Sequence, residues 1–296
     1  MSEAWLTQAE RGNLSAMRLI IWVTLRLGRR AGRLLLYPIC GYFMLFSLHA
    51  RRASRDYLRR VLGRAALWRE VFRHYLTFAS IIHDRVYLLS GRQQYFDLKI
   101  HGLQALQAAR AQGAGCILLG SHLGSFEILR AHGMLEKKLP INVLMHEDNA
   151  SKINRALHAL HPEIAARIIA PGQPQTLLRV KECLERGELV GMLGDRIFHS
   201  EKTLSCRFLG TPAVFPQGPL LLASILHTPV VLFFGLYRGG KRYDIHFEAL
   251  DASGAESHPR AQLERYVQRL EHYCRLAPYN WFNFYDFWAD AGKHCA

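Results

Sequence analysis

From about residue 95 onward, short continuous apolar runs alternate with segments whose apolar positions recur every three to four residues, the pattern of buried strands exchanging with helices. Residues 95–100 predict a strand and 103–111 a helix rich in alanine, glutamine and leucine. The run through Cys116 to Gly120 predicts a buried strand, and Phe126-Glu127-Ile128-Leu129-Arg130 opens a helical pattern. Residues 141–145 continue as a strand, a helix capped at Asn149 or Ser151 runs to His161-Pro162, and 166–170 reads as a further strand. A helix over 175–186 stops at Gly187, followed by strands over 189–193 and 204–209. An apolar helix over 219–227, a strand over 230–236, an edge strand over 243–250 and a helix over 260–275 complete the series, with 251–259 as a polar loop. This order predicts an α/β fold, a mostly parallel sheet flanked by helices. In such sheets, functional side chains gather just after strands. Three of those places are polar: Ser121-His122, His146-Glu147-Asp148-Asn149 and Asp195-Arg196.

The N-terminal part has a different pattern. Between Arg33 and Arg51 lie seventeen residues without a charge, and 19–25 form a shorter uncharged run. Seventeen helical residues extend about 25 Å, the short limit for crossing a bilayer, and Pro38 and Gly41 interrupt or bend the helix. Residues 1–64 hold twelve arginines against Glu3, Glu10 and Asp56, a net +9, within a chain of net +14. Arginines flank both ends of the long run, which leaves the positive-inside rule undecided. A helical membrane-associated segment, dipping into one leaflet with its arginines on an anionic membrane surface, fits this arrangement; a buried helix pair with solvated arginines is the competing reading. The chain therefore divides, by expectation, into an attachment region at 1–64 and an α/β domain at 65–296. A cleavable signal peptide is not expected, because the apolar run starts late and lacks a small-residue cleavage site.

The six cysteines are scattered, mostly within apolar runs, and form no C-x-x-C pair, as expected for reduced core residues. Neither they nor the fifteen histidines show a zinc spacing, so no metal and no cofactor is expected. No nucleic-acid-binding motif accompanies the basic charge.

The candidate chemistry centres on His122 and Glu127. One continuous helix would carry side chains five residues apart well around from each other. The pair makes chemical sense if His122 sits on the strand-to-helix turn as a general base and Glu127 reaches back to orient it. The residues alone equally fit a satisfied histidine at a strand end and a glutamate at a helix N-terminus. A serine nucleophile lacks its frame, since Leu119 and Leu123 stand where a G-x-S-x-G elbow needs glycine.

His122-x-x-x-x-Glu127, Gly194-Asp195-Arg196 and Thr228-Pro229-Val230-Val231, in that order behind a basic apolar N-terminus, resemble the lysophospholipid acyltransferase superfamily, in particular its bacterial lipid A biosynthesis branch. The likeness covers most of the chain, including the aromatic stretch at 279–288. One block departs from the pattern. Phe215-Pro216-Gln217-Gly218-Pro219 is similar to the F-P-E-G-T block of glycerolipid acyltransferases, but Gln217 and Pro219 replace its carboxylate and threonine. The resemblance implies transfer of a fatty acyl group from an acyl carrier protein or coenzyme A thioester to a hydroxyl of a membrane lipid or glycolipid. It also implies a place at the inner (cytoplasmic) membrane, with the catalytic domain on the cytoplasmic side. His122 is then the base and Glu127 its orienter. Backbone N–H groups over 123–125, with Gly124 and Ser125 lining the substrate, would receive the oxyanion. Asp195 and Arg196 would fix a substrate head group. A non-catalytic basic membrane scaffold and a lipid or thioester hydrolase are the alternatives.

Overall fold

Along the central strands, successive side chains enter opposite cores, as the two-residue period of a strand requires. In β2 (Ile117–Gly120), Ile117 and Leu119 enter one core and Leu118 the other; in β8 (Val230–Tyr237), Val230, Leu232, Phe234 and Leu236 separate in the same way from Val231 and Phe233. Strands buried on both faces read as continuous apolar runs, which is why these were recognisable. The computed structural model describes residues 14–111, 113–129, 140–145, 167–197, 202–250 and 258–289. The predicted 149–162 helix, the polar cluster at 146–149 and most of the 251–259 loop lie outside these residues.

The main sheet contains β1 (Asp97–His101), β2, β3 (Ile141–Leu144), β4 (Ile168–Ile169), β5 (Leu189–Leu193), β8 and β9 (Arg242–Ala249), in the order β1-β9-β8-β2-β5-β3-β4. Every pair is parallel except β8 with β9. The fold is therefore α/β with a mostly parallel sheet. Two expectations are corrected. The strand over 243–250 is not an edge, because β1 pairs outside it. β6 (Thr203–Phe208) does not join the main sheet but forms an antiparallel hairpin with β7 (Thr211–Pro216), a strand whose Pro212 and Pro216 obscure its pattern in the sequence. Helices α5 (Leu103–Arg110), α6 (Thr176–Glu185), α7 (Gly218–Ile225) and α8 (Pro259–Leu276) fall within a residue or two of the predicted ones.

The N-terminal helices are α1 (Leu14–Leu27), α2 (Arg29–Phe46) and α3 (Leu48–Leu62), followed by α4 (Trp68–Leu89), which the sequence reading left unassigned. α2 lies close against α4, for a Cβ on Gly32 would stand 2.3 Å from His83 Nε2. The fully buried Asp84 of α4 takes Arg29, at 2.9 Å to each carboxylate oxygen, Arg33 at 2.9 Å, and the hydroxyl of Tyr243 on β9 at 2.9 Å. Burial opposes the charge of Asp84, yet hydrogen bonds and the two guanidinium groups hold its pKa below the usual carboxylate value. α3 contributes Tyr57, Leu58 and Val61 to the same core as Ile117 and Phe234.

No single described helix is long and apolar enough to cross a membrane. α2 and α3 pass that test only together, and they meet at 97°. Large apolar side chains on these helices face outward, among them Trp22, Leu34, Tyr37, Leu45, Phe46 and Leu48, each more than half exposed.

His74 of α4 ties this region to the C-terminal segment. Its Nε2 lies 2.7 Å from the carbonyl of Trp281 and its Nδ1 2.8 Å from Ser54 Oγ. A carbonyl can only accept, so Nε2 carries the proton and the ring is neutral. Burial pushes its pKa down to about 4, against an ordinary value of 6.5. The unfolded chain thus binds a proton between those values that the folded chain refuses. The stability this ring contributes is present above pH 6.5 and is lost as pH falls towards 4, in total about 3 kcal/mol. Denaturant melts at pH 7 and pH 4.5 should show this steep loss in the wild type and a shallower one in His74→Gln. Equal slopes would remove His74 as the cause.

Candidate active site

Two neighbouring parallel strands bring the site together. β2 and β5 pair in register up to Gly120 and Leu193, and Gly194 N continues the ladder to the Gly120 carbonyl at 3.0 Å. The residues that leave these strand ends, His122 and Asp195, are therefore side by side although 73 positions apart. His122 Nδ1 lies 2.8 Å from Asp195 Oδ1. Asp195 Oδ2 accepts from the backbone N–H of His122 at 2.9 Å, from Trp281 Nε1 at 3.0 Å and from Asn283 Nδ2 at 2.9 Å. The carboxylate is wholly buried, while 26% of the His122 side chain is exposed.

The electrostatics follow from those contacts. Burial opposes the charge on Asp195, but the imidazole of His122, then Arg196 and the donated hydrogen bonds, keep its pKa below the usual carboxylate value. Because a carboxylate only accepts, Nδ1 carries a proton and Nε2 is the basic atom. For His122, burial and then Arg196 lower the pKa, outweighing Asp195, so the ring is held below its ordinary 6.5 and is neutral at pH 7. The guanidinium of Arg196 donates from Nε to Asn283 Oδ1 at 2.7 Å and from Nη2 to the carbonyl of Phe282 at 3.1 Å. Asn283 thus bridges Asp195 and Arg196, its amide oxygen facing one and its amide nitrogen the other.

The turn after β2 is fixed by the backbone. Gly124 has φ of 72°, and a Cβ there would stand 1.9 Å from the carbonyl oxygen of Gly235 on β8. Glycine is required twice, for its left-handed conformation and for the approach of two backbones. Gly124 N donates to the carbonyl of Asn280 and Ser125 N to that of Gly235, both at 2.8 Å, and the His122 carbonyl accepts from Phe282 N at 2.8 Å.

These contacts redistribute the roles read from the sequence. The orienting place assigned to Glu127 is filled by Asp195, at Nδ1; Glu127 opens the following helix and is partly buried. Asp195, expected at a substrate head group, has no exposed side-chain atom and both oxygens committed. The N–H groups of Gly124 and Ser125 are spent on backbone carbonyls, and the Ser125 side chain is fully buried, so neither is presented to a ligand. His122, Asp195 and Arg196 are brought together. The sequence reading missed Trp281 and Asn283, whose only signal was their place within the aromatic stretch at 279–288. A buried carboxylate with four donors, holding the proton of a partly exposed imidazole on the side away from Nε2, is an arrangement suited to general base catalysis.

Residues 60–289 match a protein-family model described as bacterial lipid A biosynthesis acyltransferase. No curated protein matches the chain.

Proposed function

Belonging as it does to the bacterial lipid A biosynthesis acyltransferase family, the chain is an acyltransferase with a lipid acceptor, and we propose that it works by general base catalysis at His122. The observation that carries this reading is the Asp195–His122 pair, with Nε2 left basic on a partly exposed ring. The donor is a fatty acyl thioester, of an acyl carrier protein or coenzyme A, and the acceptor a hydroxyl of a lipid or glycolipid. The hydroxyl oxygen attacks the thioester carbonyl carbon as Nε2 takes its proton. The tetrahedral intermediate then collapses, the carbon–sulfur bond breaks, and the imidazolium returns the proton to the departing sulfur. The C–O bond replaces the C–S bond with no net change in protons, and no cofactor enters the balance. Asp195 holds the tautomer and stabilises the imidazolium. Arg196, fixed by Asn283, is the cation for a phosphate of either substrate.

Residues 1–64 serve as the attachment region and 65–296 carry the chemistry. The outward apolar side chains of α1 and α2, together with the exposed Arg52, Arg55 and Arg59 of α3, support seating on the cytoplasmic face of the inner membrane.

The test joins chemistry to attachment. With acyl thioester and acceptor lipid in anionic vesicles, mass spectrometry should find one acyl increment on the lipid, and the protein should float with the vesicles. Free fatty acid released in the presence of acceptor would mark a hydrolase. An unconsumed thioester would leave a scaffold, and failure to float would remove the membrane seat.

A further inference from the structure

At the outer edge of the sheet, three side chains with metal-binding chemistry share one face. The two-residue period of β9 puts Asp244 and His246 on the same side, and the parallel register sets His101, the last residue of β1, beside His246. Two ligands at i and i+2 on one strand, joined by one from the neighbouring strand, form a three-cornered set on a rigid support. One ligand atom from each residue lies within 4.8 Å of the others. The two imidazoles stack with centres 4.5 Å apart and planes 11° from parallel. His246 Nε2 is buried and without a hydrogen-bond partner, which leaves a lone pair or an N–H uncompensated.

We propose that His101, Asp244 and His246 bind a divalent transition metal, with zinc the best match to two imidazoles and a carboxylate. Zinc bonds of 2.0–2.2 Å put tetrahedral ligands about 3.3 Å apart. Rotation of the exposed His101 ring out of the stack closes that gap. Arg238 competes, its Nε standing 3.0 Å from one Asp244 oxygen, and the second oxygen is the one offered to the ion. Around the set, Glu248 is occupied by Arg269 and Tyr273, and the Tyr273 ring packs on His246 with centres 4.9 Å apart. Three protein ligands leave a fourth position for water. At about 4.8 Å per strand, β1 stands roughly 14 Å from β2, so the ion would clamp the edge strand without entering the chemistry at His122.

Isothermal titration of tag-free, full-length protein with zinc chloride should reveal one saturable site, and zinc should raise the melting temperature. Cobalt substitution should give the visible absorption of a four-coordinate site. His101 is exposed, so His101→Ala should melt like the wild type without zinc, bind it at least about tenfold more weakly and lose the shift. Asp244→Asn should likewise weaken zinc binding and lose the zinc-dependent shift, from a baseline melting temperature lowered by loss of the Arg238 pair. Absence of saturable binding at micromolar zinc, or equal binding by His101→Ala, would overturn the site.

Discussion

Asp195→Asn is expected to lower kcat by about 10³–10⁴-fold, the effect of reversing an imidazole tautomer in a catalytic pair. Four donors converge on this carboxylate. An asparagine offers one acceptor oxygen and an NH₂ group that must face at least one of them. If the oxygen stays with Trp281, Asn283 and the His122 backbone, the NH₂ meets Nδ1. The ring then moves its proton to Nε2, and the base is occupied before substrate arrives. Stability should fall as well, by about 1–3 kcal/mol for a donor set against a donor in a buried place. The measurement is kcat for protein whose folding has been verified by circular dichroism, alongside Glu127→Gln. A folded Asp195→Asn enzyme with more than about a tenth of wild-type kcat, beside a Glu127→Gln enzyme with a large loss, would return the orienting role to Glu127.

The second large effect is at the base itself. His122→Ala should reduce kcat by about 10²–10⁴-fold, the usual worth of general base catalysis. KM should change little, because Nε2 acts on the hydroxyl as the bond forms. The pH profile supplies an independent readout. Burial first, and then Arg196, hold the His122 pKa below 6.5, so the basic form persists to lower pH than for a free histidine. Wild-type rate should hold to lower pH than an ordinary histidine would allow and fall in inverse proportion to proton concentration below the lowered pKa, and this limb should be lost in His122→Ala. Near-normal acyl transfer by the variant, or an unchanged acid limb, would sink the mechanism.

What could be read from the sequence, and what could not, divides along physical lines. β2, β5 and β8 were legible because a strand buried on both faces must be apolar at every position. The strand ends as places for chemistry followed from that reading, and His122 with them. Strand order was not legible. Nothing in residues 117–120 or 189–193 announces that they are neighbours, and without that adjacency Asp195 looked like a ligand for a head group. Glu127 took its place because it was near in sequence, whereas the strand register brings together residues 73 positions apart. Gly124 was read as lining the substrate, whereas the group that approaches it is the Gly235 carbonyl. Trp281 and Asn283 were hidden for a different reason: amid so many aromatic residues, an asparagine carries no pattern that separates a hydrogen-bond bridge from packing.

The strap at 280–283 also has a consequence in time. A chain made from its N-terminus delivers the apolar helices before His122, His122 before Asp195, and Trp281 and Asn283 only after both. Until they do, the carboxylate lacks two of its four donors, and the desolvation that tunes the pair is incomplete. Catalytic competence is therefore gated by synthesis of this segment: a ribosome stalled before codon 281 holds a chain with the base and carboxylate already made but with two of the four donors missing.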